Sequence, residues 1–289
     1  MTARKPRIGI VGAGRVGTGL ALSLARAGCK IVAMASRSSA SARALARRVP
    51  GARTAASPQE VADRADLVFL TVSDDAIEEL ASGIRWRAGV ACVHCSGAAD
   101  LDVLAAAAAQ GARVGGFHPL RMFGEPGKSF EMRGCAIAIA GAAPLARELE
   151  RLARAIGARP LRLPEGGRAL YHIGANFSGA FVVALIAETL ALWKRLGIPE
   201  KDGLRALLSL LRGSADNVEK LGLAGALGSV VARGDVGTIR RHLDALAGSA
   251  PESLDLYRLL SLRTVPLALQ KGTLRPETAR EIENLLGAR

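Results

Sequence analysis

The sequence predicts an α/β N-terminal domain with a mostly parallel sheet, followed by an all-α C-terminal domain. Short apolar runs alternate with amphipathic helical patterns through the first half of the chain. The chain opens on a glycine-rich strand–turn–helix signature, and strand patterns stop after Pro164. Its 289 residues exceed what one core commonly organises, so the expected domains are 1–164 and 165–289.

"RIGIVGAG" reads as a strand entering a turn, and "RVGTGLALSLARAG" as a helix closed at Gly28. "KIVAMAS" is the second strand and "SSASARALARRV" the second helix, stopped by Pro50 and Gly51. "ADLVFLTVS" is apolar almost throughout, as a strand covered on both faces must be. "DDAIEELASGI" puts Asp74 and Asp75 in a first helical turn, where they are expected to cap it. "GVACVHCSG" and "ARVGGFHPL" are further strands, separated by the alanine-rich helix "ADLDVLAAAAAQG". "CAIAIAG" and "RPLRL" are strands around the helix "APLARELERLARAIG". Beyond Pro164 the pattern predicts helices over about 167–196, 199–212, 236–248, 251–269 and 276–287. The first of these exceeds the usual length of a globular helix.

The net charge is +13, but the arginines are dispersed and aromatic residues are only 3%, which leaves few stacking platforms for nucleic acid. The basic field instead favours a small anionic substrate. No run of about 18 unbroken apolar residues lacks glycine or charge, so no membrane span is expected. The N-terminus leads straight into a strand and does not read as a signal peptide, which places the protein in the cytoplasm. Cys92 and Cys95 form C-x-x-C without the second pair a metal knuckle needs. They lie in a strand pattern rather than at a helix start, and read as small buried hydrophobes, as do the isolated Cys29 and Cys135.

Gly12-Ala13-Gly14-Arg15-Val16-Gly17 is a G-x-G-x-x-G between strand and helix, the phosphate-binding turn of a Rossmann-type domain. Gly12 permits the turn, Gly14 admits a diphosphate close to the backbone, and Gly17 lets helix and strand pack. After the second strand, "MASRSSAS" offers Ser36, Arg37, Ser38 and Ser39 where an NAD site carries an acid. Arg37 can grip a 2′-phosphate that a carboxylate would repel, so the expected cofactor is NADP(H). Val72 and Ser73 end the fourth strand pattern, where such folds meet the nicotinamide ribose.

Other chemistry-bearing residues gather at strand ends or just beyond: His94 and Ser96 in "VHCSGA", His118 and Arg121 in "GFHPLRMF", and His172 and Asn176 in "RALYHIGANFSG". Three of the four histidines lie there, and the fourth, His242, falls on a late amphipathic helix and reads as surface. Reducing a carbonyl requires a proton donor beside the forming alkoxide, a task suited to histidine. His172 is the candidate acid, Asn176 one turn on would orient the substrate oxygen, and Ser96 and His118 would act from the opposite wall. Arg121 would pair with a carboxylate. Each has a plainer reading: His172 a core residue, His94 a turn-former through a backbone hydrogen bond, His118 with Pro119 a loop-shaper, and Arg121 a solvated charge.

The motifs "GAGRVG", "VHCSGA", "GFHPLRMF", "YHIGANFSGAFVVAL" and "VVARGDVGTIRRHLDAL", in that order through most of the chain, resemble those of a family. It is the family of predicted oxidoreductases with a Rossmann-like N-terminal domain and a helical C-terminal domain of unknown function. The resemblance implies an NADP-binding domain and a helical, 6-phosphogluconate-dehydrogenase-like domain that forms a homodimer. Some related enzymes act on ketopantoate. The layout is more distantly similar to β-hydroxyacid dehydrogenases, whose Lys-x-x-x-Asn on the first helix of the second domain would correspond to His172-x-x-x-Asn176. Their Ser-Gly turn would correspond to Ser96-Gly97. Arg233 in "ARGD" is either a residue near the cofactor or substrate of the same or a partner subunit, or a neighbour of a turn and helix cap formed by Gly234 and Asp235. The expectation is an NADPH-dependent reductase of a small carboxylate-bearing carbonyl compound of the 2-oxo acid type. The alternatives are an imine reductase of the pyrroline-5-carboxylate type and a non-catalytic NADPH-binding sensor or assembly module.

Overall fold

Aliphatic runs of four to eight residues become strands because helices can cover them on both faces. In the computed structural model, which describes residues 6–122 and 132–287, these runs form an eight-stranded sheet. The strands are β1 (Arg7–Val11), β2 (Lys30–Ala35), β3 (Arg53–Thr54), β4 (Leu67–Leu70), β5 (Ala91–His94), β6 (Arg113–Leu120), β7 (Ala136–Gly141) and β8 (Arg159–Arg162). Their order is β3-β2-β1-β4-β5-β6-β7-β8, and only the β6–β7 pair is antiparallel. The chain winds outward one way from β1 through β2 and the other way through β4. A crevice therefore opens beyond the carboxyl ends of β1 and β4, the usual ligand position in such sheets.

The helices of this region are α1 (Arg15–Arg26), α2 (Ser39–Ala46), α3 (Pro58–Arg64), α4 (Ile77–Ser82), α5 (Ala105–Ala109), α6 (Ala143–Ala155) and α7 (Arg168–Ser178). Alternation along β4 divides the core: Leu67 and Phe69 join the cluster that includes Leu20, Leu24, Phe117 and Leu149, while Val68 and Leu70 join the one that includes Ile77, Trp86 and Cys92. The rings of Phe69 and Phe117 lie 5.2 Å apart and tilted, bringing β4 and β6 together on one face.

Three local outcomes differ from the sequence pattern. Helix α3 is unanticipated because it is short and polar, yet it is capped: Ser57 accepts from Glu60 N–H and Glu60 accepts from Ala56 N–H. Asp74 and Asp75 do not cap a helix with their side chains. They open a 3₁₀ turn, Asp74–Ala76, and Asp74 accepts a hydrogen bond from Ser96 instead. The long helix expected over 167–196 is broken at Gly179, whose φ of −114° and ψ of −90° are not helical. It becomes α7 and α8 (Ala180–Arg195).

Backbone contacts divide the chain into Met1–Gly179 and Ala180–Arg289. The change of texture at Pro164 marks the end of the sheet, while α7 still belongs with the sheet unit. The second unit contains α8, α9 (Glu200–Ala226), α10 (Val236–Ser249), α11 (Leu254–Lys271) and α12 (Pro276–Gly287). α9 continues well past its expected end and kinks at Gly222, where φ is 70°. This unit's small core gathers Val231, Ile239, Leu243, Val265, Ala268 and Ile282. Asp235 caps α10 by accepting from Thr238 N–H at 2.9 Å, beside Gly234 with φ of 66°.

The run Arg168–Arg195 is long and apolar enough, by length and composition, to cross a membrane, which the sequence pattern did not anticipate. Its break at Gly179 leaves pieces of 11 and 16 residues, each short of the roughly 20 a spanning helix needs. None of the α8 residues is buried.

Candidate active site

The first turn of α1 is arranged to receive an anion. Its cap position is Gly14, with no side-chain capping bond and no acidic residue in the first turn, so backbone N–H groups and the positive helix end remain available. Gly12 has φ of 108°, which favours glycine, and a side chain there would strike the Thr71 carbonyl. A Cβ at Gly17 would overlap the Gly12 carbonyl, whereas one at Gly14 would meet nothing within 4 Å. Close packing is therefore needed at the first and third glycines, and open space lies over the second, as a bound diphosphate requires. Thr71, just past β4, fixes the loop: its buried hydroxyl lies 2.7 Å from the Gly12 carbonyl oxygen and 3.1 Å from that of Val11. The sequence reading missed it; its signal was a hydroxyl at the end of an otherwise apolar strand.

Ala13 and Val16 are half-buried in this loop and Arg15 is exposed. Beyond β2, Ser36 is half-buried and Arg37 is exposed at the carboxyl edge of the strand. Ser38 caps α2, accepting from the Ser41 backbone N–H at 3.2 Å. Half-buried Val72 and exposed Ser73 follow β4 on the same edge. Gly-rich loop, arginine and strand ends together fit a phosphorylated dinucleotide.

The second cluster lies farther along this edge. His94 pairs in register with Gly116, and β6 runs four residues past the end of β5, carrying His118 outward on the face shared with Gly116. His94 is fully buried and its Nδ1 accepts from Ser96 N–H at 3.2 Å, the turn-forming role that was its plainer reading. The Ser96 hydroxyl donates to Asp74 and accepts from Ala98 and Ala99 N–H. One donor and two acceptors exhaust a hydroxyl, so Ser96 as placed builds the turn and has no hydrogen bond left for a substrate.

The residue that organises this cluster went unrecognised in the sequence. Arg168, the first residue of α7, is fully buried and donates through Nη1 to the Ser96 carbonyl. Its Nε and Nη2 are buried without a hydrogen-bond partner among the described residues. The guanidinium fills the space a side chain at Gly116 would occupy. A buried cation with unsatisfied donors is costly, and such arrangements concentrate at functional sites. Burial first, and then the charge of Arg168, holds the imidazoles of His94 and His118 well below their usual range, at about 3 and about 4. Both rings are therefore neutral at pH 7.

α7 brings Tyr171 and His172 to the same place. His118 and His172 stand edge to face with centroids 6.3 Å apart, and a Cβ on Gly97 would lie 2.9 Å from both rings. Glycine at 97 thus lets both imidazoles pack against the backbone of the turn after β5. Asn176 donates to the His172 carbonyl at 3.2 Å, holding its amide on its own helix. Arg121 is exposed just beyond β6, and Phe123 of the same motif lies outside the described residues. Cys92 and Cys95 are buried; burial raises both thiol pKa values, that of Cys95 to about 12, so neither is a thiolate at neutral pH. In the helical unit, Arg233, His242 and Tyr257 line an open pocket of about 460 Å³, and His242 Nδ1 lies 2.9 Å from the Tyr257 hydroxyl.

Residues 1–119 match the family model of the Rossmann-like domain, and residues 135–264 match that of the domain of unknown function DUF2520. No protein of curated function matches the sequence. A Bacteroides fragilis protein with the provisional name of NADP oxidoreductase is 28% identical, with a TM-score of 0.69 over 90% of this chain and 98% of its own. The Thermotoga maritima protein TM1727 is 22% identical, with a TM-score of 0.71 over 97% of this chain and 100% of its own. A reductive aminase from Aspergillus terreus in complex with NADPH shares the fold at 20% identity and a TM-score of 0.61, over 98% of this chain and 93% of its own.

Replacing Gly116→Ala should destabilise the sheet unit by about 1–3 kcal/mol, since the methyl group must displace a guanidinium that has nowhere polar to go. Gly14→Ala, which meets open space, should unfold like wild type. Urea denaturation of the two variants checks this, and equal midpoints would contradict the seating of Arg168 on Gly116.

Proposed function

We propose, from the premise that this chain joins a Rossmann-like domain to a DUF2520 domain, that it is an NADPH-dependent oxidoreductase reducing small carboxylate-bearing carbonyl compounds of the 2-oxo acid type. The observation that carries the reading is the pair of imidazoles, His118 and His172, packed edge to face on Gly97 along the sheet edge that also holds the Gly12–Gly17 loop. Bound there, the reduced nicotinamide supplies the hydride. The chain's own groups bind the diphosphate at the start of α1, grip the 2′-phosphate through Arg37, and deliver a proton from the histidine pair to the substrate oxygen. His172 and Asn176 face the substrate from α7, with Arg121 available to its carboxylate. The 28% identical Bacteroides fragilis protein, provisionally named an NADP oxidoreductase, supports the reaction class and the cofactor.

One observation favours an imine substrate instead. Burial and Arg168 keep His118 neutral, and a protonated imine arrives with its own proton and needs no strong acid. Against this, a cationic substrate would approach a buried guanidinium, whereas an anionic one is drawn to it. The carbonyl reading is preferred on that ground.

A homodimer formed through the helical unit belongs to the same proposal. Phe181 and Val183 of α8 and Leu210, Leu221 and Leu223 of α9 are all exposed, as large apolar side chains are where a partner surface covers them. A second copy covers them in this reading, and light scattering should give twice the 30.0 kDa chain mass; a monomer at micromolar concentration would refute it.

Arg37→Ala should weaken NADPH binding by about tenfold to a hundredfold, the worth of a charged hydrogen bond, and leave NADH binding nearly unchanged. Titration calorimetry with both nucleotides decides this, and tighter NADH binding by wild type would reverse the cofactor assignment. His172→Ala should keep NADPH affinity while kcat/KM falls at least about tenfold on whichever of a panel of 2-oxo acids and cyclic imines the wild type reduces. Failure of the wild type to oxidise NADPH with any of them would favour a nucleotide-binding sensor.

A further inference from the structure

Beside the imidazole pair packed on Gly97 stands a hydroxyl that the proposed reduction has not used. Tyr171, one residue before His172 on α7, places its Oη 3.0 Å from His118 Nδ1, with the two rings edge to face at 5.7 Å. The opposite edge of the imidazole lies over Gly97, where a Cβ would stand 2.9 Å from His118 Cε1 and Nε2. His118 is only half-buried, and the buried polar atoms without partners in this cluster belong to His94 and Arg168, not to His118 Nε2. When a hydroxyl donates to Nδ1, a neutral imidazole carries its hydrogen on Nε2.

From these contacts we infer that His118 Nε2–H protonates the substrate oxygen, and that Tyr171 is the positioning residue that sets the His118 tautomer and replenishes its proton. The inference rests on the reductase reading. As hydride reaches the carbonyl carbon, the C=O π pair moves to oxygen and takes the Nε2 proton. The Tyr171 O–H bond breaks as its proton passes to Nδ1. The imidazole stays neutral throughout, and the negative charge ends on Tyr171, where buried Arg168 opposes the effect of burial by favouring the phenolate. After product leaves, a solvent proton enters at Nε2 and the Nδ1 proton returns to Tyr171. A relay is required because His118 does not arrive charged. Burial, then Arg168, then His172 disfavour its protonation, and Asp74 alone among these groups favours it.

Two measurements on the full chain test this. The first is ¹⁵N nuclear magnetic resonance of the histidine rings without cofactor, with His118 assigned by the signal lost in His118→Gln. The folded pKa lies below the ordinary value of about 6.5, so the neutral form is favoured and protonation is displaced to lower pH. Wild type should show His118 as the neutral Nε2–H tautomer from pH 8 down to 5, titrating only near 4. Tyr171→Phe should mix the tautomers. The second is steady-state kinetics with NADPH and pyruvate or 2-oxoisovalerate, using whichever the wild type reduces. Tyr171→Phe should lower kcat about a hundredfold with KM nearly constant and NADPH affinity retained, and His118→Gln should match it.

An Nδ1–H tautomer in wild type, or a Tyr171→Phe variant with unchanged tautomer or unchanged kcat, overturns the inference. Absence of wild-type turnover overturns the reductase reading and the proton delivery built on it, while the resonance experiment separately decides whether Tyr171 sets the His118 tautomer.

Discussion

A buried guanidinium lies at the centre of the sheet unit's carboxyl edge. Arg168 donates to the Ser96 carbonyl and occupies the space that Gly116 leaves empty, thereby joining the start of α7 to the ends of β5 and β6. Tyr171 and His172 follow on the same helix, so their position beside His118 depends on where Arg168 is anchored. The charge also has an electrostatic consequence, since with burial it keeps His94 and His118 neutral. One side chain thus sets both the geometry and the protonation state of the cluster.

The nucleotide end of the edge is held by a different device. Gly12 and Gly17 are required by contact with Thr71 and with each other, and Gly14 is required by what it leaves open. Thr71 fastens the loop to β4, which continues into Val72, Ser73 and Asp74. Asp74 in turn accepts from Ser96, so the loop after β4 is tied to the turn after β5. Hydrogen bonds along the edge therefore link the candidate cofactor loop to the turn on which the two imidazoles pack.

The parts of the fold legible in the sequence were those with strong periodicity. β1, β2, β4, β5 and α1 carry unbroken apolar runs or a clear helical face, and burial rewards both patterns wherever they occur. α3 was illegible because seven residues with only Val61 and Ala62 buried, held by a cap, are too short a stretch to show a period. The long helix expected after Pro164 broke at Gly179, a residue whose effect depends on its surroundings, as glycine tolerates a helix as well as a break. For the site, glycine spacing and the histidines at strand ends marked the right edge. Arg168 and Tyr171 were passed over because an arginine and a tyrosine at the start of a helix ordinarily face water.

The sequence by itself determined the mostly parallel sheet, the helical second half, the phosphate-binding loop and the strand ends where polar residues collect. These follow from local patterns of size and polarity, which the chain carries whatever its neighbours. Only the tertiary structure decided that Ser96 spends its hydroxyl on a turn, that Asp74 serves Ser96 rather than a helix end, and that Arg168 is buried on Gly116 between two neutral imidazoles. The Ser96 turn closes on Ala98 and Ala99 only once Asp74 has fixed the hydroxyl. The Asp74 and Arg168 outcomes depend on hydrogen bonds between residues 22 and 72 positions apart, and such pairings leave no local trace.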